Sequence, residues 1–116
     1  MAIDVMVLKF DKIYQSVENI PANARTLCLG KRSEIKRIIS SVFVGTDWSD
    51  FTGIWNSNDG SIVFNVSSEE YIDSFFLEVR VNDHAPIDSV FSMIVGMVQQ
   101  NEWQAIEMCG SSFLES

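Results

Sequence analysis

The run Ser61 to Val81, SIVFNVSSEEYIDSFFLEVRV, constrains the fold more than any other part of the chain, because it reads as two strands around an acidic turn. In its second half Phe75, Leu77, Val79 and Val81 alternate with Ser74, Phe76, Glu78 and Arg80. A strand over Ile72 to Val81, the longest expected, turns the first set toward a core and the second away from it. Just upstream, Gly53 to Asn56 and Ser61 to Val66 flank the turn Ser57, Asn58, Asp59 and Gly60. An Asp-Gly pair between β-rich runs marks a hairpin, since Gly takes positive φ without a Cβ clash. The same turn does not suit calcium, because counting back from Gly60 puts Trp55 and Ser57 at the first two ligand positions of an EF-hand loop.

The remaining elements follow from periodicity. Ile3 to Phe10 is β-rich with apolar residues on both faces, Ile3, Val5 and Val7 against Met6, Leu8 and Phe10, which predicts an interior strand. From Asp11 to Leu29 two readings fit: Ile13, Val17 and Ile20 form a short helical stripe that Pro21 ends, or they pin a long connection to the core. In KRSEIKRIISSVF, Ile35, Ile38, Ile39, Val42 and Phe43 fall on one helix face, with Ser33 as the expected N-cap and Gly45 as the stop. Thr46 to Thr52 reads as a loop. A second helix runs from Pro86 to about Gln100, with Ile87, Val90, Phe91, Ile94 and Val98 buried and Met93 and Met97 beside them. Gly96 in its interior costs about 1 kcal/mol against Ala, so close approach of another backbone is expected there. Trp103 to Met108 is the last strand and Gly110 to Ser116 a tail.

The order β-α-β-β-β-α-β makes residues 1–116 a single α+β domain. A two-layer sandwich is expected: a mostly antiparallel sheet of about five strands with both helices on one face. The nearest common arrangement is ferredoxin-like with an extra hairpin strand.

Charge excludes some partners. Residues 1–44 hold seven Lys/Arg against four Asp/Glu, whereas residues 45–116 hold Arg80 against twelve acids. A surface that acidic cannot neutralise a phosphate backbone, so the reading is no nucleic acid and a basic protein partner instead. Lys31, Arg32, Lys36 and Arg37 on the first helix read as a solvated face without the aromatic interleaving of a strand-binding groove. No apolar run reaches the roughly 18 to 20 residues that span a bilayer, and Asp4 stands where a signal peptide carries positive charge. A cytoplasmic protein without membrane contact is expected. Cys28 and Cys109 sit in apolar settings without a CxxC partner and read as buried, reduced thiols.

No catalytic constellation emerges. His84, the single histidine, has no companion ligand at recognisable spacing, so neither a metal nor any other cofactor is expected. The acid pairs Asp47 with Asp50, Glu69 with Glu70, and Asp83 with Asp88 lie among turn-forming residues and read as caps and turn formers. Arg80 is expected to pair with a cross-strand or loop carboxylate. The candidate site is a partner-binding one. Trp48 between Asp47 and Asp50 has the composition of an anchor for a basic protein, its other reading being a plug at the end of the core, and Asp59, Glu69, Glu70, Phe76 and Glu78 extend that acidic surface.

The run from Leu29 to Met108 also resembles a family of small bacterial α+β proteins. The matching residues are Gly45, Asp47, Trp48, Ser49 and Asp50 in a G-x-D-W-S-D loop and Ser61, Ile62, Phe64 and Asn65 in a Ser-Ile-x-Phe-Asn strand. Val79 with Arg80, and Asn101, Trp103 and Ala105, complete them. The resemblance implies no catalytic activity; some such acidic proteins look like immunity proteins encoded beside secreted toxins. A non-catalytic binding protein is the resulting expectation. The alternatives are a small enzyme with a carboxylate-lined site and a self-assembling module, and the oligomeric state stays open.

Overall fold

In the computed structural model, which describes residues 2–58, 60–81, 87–108 and 112–113, the alternation of the opening run becomes the centre of one large antiparallel sheet. The chain runs through β1 (Ala2–Phe10), a 3-10 turn (Val17–Asn19), β2 (Thr26–Leu27), β3 (Gly30–Lys31) and α1 (Arg32–Val42). Then follow β4 (Asp47–Ser49), β5 (Thr52–Asn56), β6 (Gly60–Asn65), β7 (Tyr71–Ile72) and β8 (Ser74–Val81). It closes with α2 (Ile87–Gln100), β9 (Gln104–Glu107) and β10 (Ser112–Phe113). The spatial order is β10-β9-β1-β8-β6-β5-β4, with β2 beside the end of β1, while β3 and β7 form a separate two-stranded ladder.

The α+β class is as expected, and the sheet is larger than the five strands anticipated, with eight. Taking β1, β6, β8 and β9 as the strands that flank the helices, their order 9-1-8-6 is the ferredoxin-like 4-1-3-2, extended past β6 by the β5–β4 hairpin. The additional strands are two or three residues long, too short to carry a period of their own. Thr46 to Thr52 is not a loop: Asp47, Trp48 and Ser49 pair with Ile54, Gly53 and Thr52, and Asp50, at φ 54°, opens the two-residue turn. Ile72 to Val81 is not continuous but breaks at Asp73, so β1 with nine residues is longer than β8 with eight. The expected tail contains β10, whose Ser112 and Phe113 pair with Glu107 and Ile106.

Both helices cover one face of the sheet. Ile35 and Ile39 of α1, Phe43 at its C-cap, and Val90, Ile94, Met97 and Val98 of α2 join Val5, Val7, Ile62, Phe64, Phe75, Leu77 and Val79 in one buried cluster. Phe43 packs edge-on to Trp55 with ring centroids 5.0 Å apart, and Phe75 meets Trp103 at 5.8 Å. The cap of α1 differs from expectation. Its N-cap is Lys31, not Ser33, and no side chain caps it; the Arg32 amide donates instead to the Glu70 carbonyl at 2.8 Å. The β3–β7 ladder thus runs directly into the helix and satisfies an end that a serine would otherwise serve. Downstream, Gly45 at φ 92° turns the chain away as anticipated.

The other face of the sheet is half covered. Tyr14, Val17, Ile20 and Ala24 of the long connection lie over Leu8, Phe10 and Ile106, so this segment pins itself to the sheet around a single 3-10 turn and no longer helix. Gln104 fixes it: its Nε2 donates to the Tyr14 carbonyl at 2.8 Å and its Oε1 accepts from the Tyr14 amide at 3.3 Å. Cys28 is exposed, contrary to the buried thiol expected, since it follows a strand, β2, whose two residues are both exposed; Cys109 lies outside the described residues.

Gly96 overturns another expectation. A Cβ built there meets no atom within 4 Å, and the residue faces solvent, so no neighbouring backbone requires a glycine. Gly96→Ala is therefore expected to raise stability by about 0.5 to 1 kcal/mol through helix propensity and a less flexible unfolded chain, read as a higher urea midpoint at unchanged slope.

Candidate functional site

The uncovered half of the sheet face is built by strand register. Residues directly opposite one another in an antiparallel ladder project to the same side. One such row crosses the sheet as Asp47, Ile54, Val63, Glu78 and Asp4; its neighbour runs Ser49, Thr52, Asn65, Phe76 and Met6 before it passes beneath the covered half at Ile106. The Met108 amide donates to the Asp4 carbonyl at 2.9 Å, which brings Met108 to the end of the first row.

Large apolar side chains lie open on this surface. Phe76 is 46% exposed where its neighbour Phe75 is fully buried, and Ile54 and Met108 are each 45% exposed. Phe76, Val63 and Met108, with Asp4, Asn65 and Glu78, line a shallow hollow of about 340 Å³. The layer assignment made from Phe76, Glu78 and Arg80 therefore holds: neither helix reaches this side.

Carboxylates frame the apolar centre. Asp4 and Asp47 are exposed, and Glu78 accepts from both Nε and Nη2 of Arg80 at 2.7 Å. Arg80 thus pairs with an acid two residues back on its own strand, not with a cross-strand or loop partner as expected, because positions i and i+2 share a face. That bridge leaves Asp4 and Asp47 to set the sign of the patch.

The other candidates do not converge here. Trp48, one residue after Asp47, points to the opposite side, beneath α1. Its ring lies 6.3 Å from Phe64, its Nε1 donates to Ser40 Oγ at 2.8 Å, and Lys36 Nζ sits 5.1 Å from the ring centroid. Gly53 opposite leaves room for the indole, since a Cβ there would come within 2.8 Å of it. Asp50 is exposed in the β4–β5 turn, where its carbonyl accepts from Lys36 Nζ at 2.8 Å. Glu69 and Glu70 are exposed in the turn before β7, near Arg32, whose Nη1 donates to the Ser68 carbonyl. Asp59 and His84 lie outside the described residues. Of the residues read from sequence, Asp47, Phe76 and Glu78 thus share one surface, while Trp48, Asp50, Glu69 and Glu70 do not.

Among the described residues no three His, Cys, Asp or Glu side chains come together as a metal site, and no helix is long and apolar enough to cross a membrane. The chain matches no family model, and comparison with curated proteins and with solved structures gave no significant match.

Asp4, Met6, Ile54, Val63 and Met108, on which the surface depends, are not singled out by the sequence. Ile54 and Val63 are legible in the hairpin, which fixes their register against each other so that alternation assigns their face. Asp4 and Met6 depend on which strand lies beside β8, and local sequence carries no record of that.

Proposed function

We propose that this is a non-catalytic binding protein of the cytoplasm that captures a basic protein partner on its open sheet face, in the manner of an immunity protein neutralising a toxin. The observation that carries the reading is the cluster of Phe76, Ile54 and Met108, each close to half exposed, framed by Asp4, Asp47 and Glu78. Apolar centres with charged rims are the usual anatomy of a recognition surface, in which the centre sets dissociation and the rim sets encounter. The excess of acid over base beyond residue 44 gives a long-range attraction for cationic partners. A second copy of the chain fits this face less well, since docking it would bring a second set of the same carboxylates against the first.

The test uses the product of the open reading frame adjacent to this chain's own. If that product is a toxin, co-expression of this chain should restore growth. Phe76→Ala should weaken the complex by about 2 kcal/mol, roughly 30-fold, at unchanged melting temperature. Asp4→Asn combined with Asp47→Asn should chiefly slow association, and the salt dependence of the on-rate should flatten with it. A Phe76→Ala protein that folds and binds as tightly as the parent would reject the open face as the site. An adjacent frame encoding a metabolic enzyme would reject the immunity role.

A further inference from the structure

A second concavity lies away from the open face, where the C-terminal half of α2, the start of β9 and the Ile13–Gln15 segment converge. It encloses about 300 Å³, at the lower end of the range for small-molecule sites. Its walls are mainly apolar, with Val95 and Val98 of α2 on one side, Ile13 on the other and Phe113 beside them. Ile13 is 62% exposed, which leaves an aliphatic side chain at the rim facing water. The wall that carries it does not depend on a ligand for its position, because Gln104 clamps Tyr14 through both backbone groups.

The electrostatics of this cleft set one lining carboxylate against one nearby cation, Lys12, whose Nζ lies 5.4 Å from the ring centroid of Tyr14. Among the described residues that line it Glu102 alone is charged, and it stands exposed with φ 58°. The C-terminal end of α2 lies beside the same space; its last turn carries no basic residue, and its Met97, Val98 and Gln99 carbonyls accept from Asn101 Nδ2, the Trp103 amide and the Glu102 amide. What the site offers a ligand is therefore the Glu102 carboxylate beside an apolar cleft.

We propose that this cleft binds a small amphiphilic amine, with the hydrocarbon body against Val95, Val98 and Ile13 and the protonated nitrogen at Glu102. Burial of the body supplies affinity, while the Glu102 carboxylate selects against anions of the same length. The site is separate from the partner-binding face, so its failure would leave that reading untouched.

The test is an NMR titration of the intact, isotopically labelled protein with n-octylamine at 150 mM salt, with n-octanol and n-octanoate as neutral and anionic controls. Octylamine is expected to bind tightest and to shift the amides of Val95, Val98, Gln99 and Ala105 in a saturable way. Glu102→Gln should weaken octylamine at least fivefold and leave octanol unchanged. Glu69→Gln, a remote substitution that changes net charge equally, should change neither. Gln99→Trp, at an exposed helix position on the rim, should fill the cleft and abolish binding of all three. Shifts that do not saturate, or that fall elsewhere, would overturn the site. Octanoate binding as tightly as octylamine, or equal losses in Glu69→Gln and Glu102→Gln, would overturn the ligand class.

Discussion

Replacing Trp48 with Ala is expected to remove about 3 kcal/mol of folding stability, a fall of roughly 10 °C in melting temperature for a domain of this size. The indole is half-buried between α1 and the β4–β5 hairpin, packed against Phe64 and hydrogen-bonded to Ser40. Truncation leaves a cavity that Gly53 cannot fill, because it has no side chain to move into the space. Trp48→Phe should separate the contributions: the ring is kept, the bond to Ser40 is lost, and the cost drops to about 1 kcal/mol. Urea denaturation of both variants at unchanged slope measures this. If Trp48→Ala kept its stability but lost partner affinity, the indole would belong to the binding surface after all.

A similar loss, about 3 kcal/mol, is expected for Gln104→Ala, by a different route. Gln104 is the single polar side chain buried among the described residues, and both its bonds go to the backbone of Tyr14. Shortening it strands a buried N–H and a buried C=O, each costing about 1 to 3 kcal/mol when left unpaired. The damage should be local. Hydrogen exchange at the Tyr14 amide should accelerate by orders of magnitude, and the segment over Leu8 and Phe10 should become sensitive to protease while β6 and β8 stay protected. Uniform loss of protection across the sheet would instead make the clamp part of the global core.

These two residues mark where a linear reading succeeds and fails. Trp48 reads from sequence in two ways, as a plug at the end of the core, which it is, or as an anchor wetted by Asp47 and Asp50. The anchor reading fails because three residues form a strand where a loop is expected: in a loop adjacent side chains can point together, in a strand they point apart. Gln104 carried no mark at all, since its partner is 90 residues away. Arg80 shows a milder version of the same effect, its carboxylate partner being two residues off instead of across a strand.

What the sequence determined by itself is the part governed by short periods. The alternation of Phe75, Leu77 and Val79 with Phe76, Glu78 and Arg80, and the helical spacing of Ile35, Ile39 and Phe43, place apolar side chains on one face within a single element. That suffices for the α+β class and for the exposure of Phe76. Tertiary structure decided the rest: which strands lie side by side, that β4 and β10 exist, and that Asp4, Met6 and Met108 stand next to Phe76. Pairing between distant strands is fixed by the free energy of the whole sheet, summed over its hydrogen bonds and buried contacts, and no local stretch of chain contains that sum.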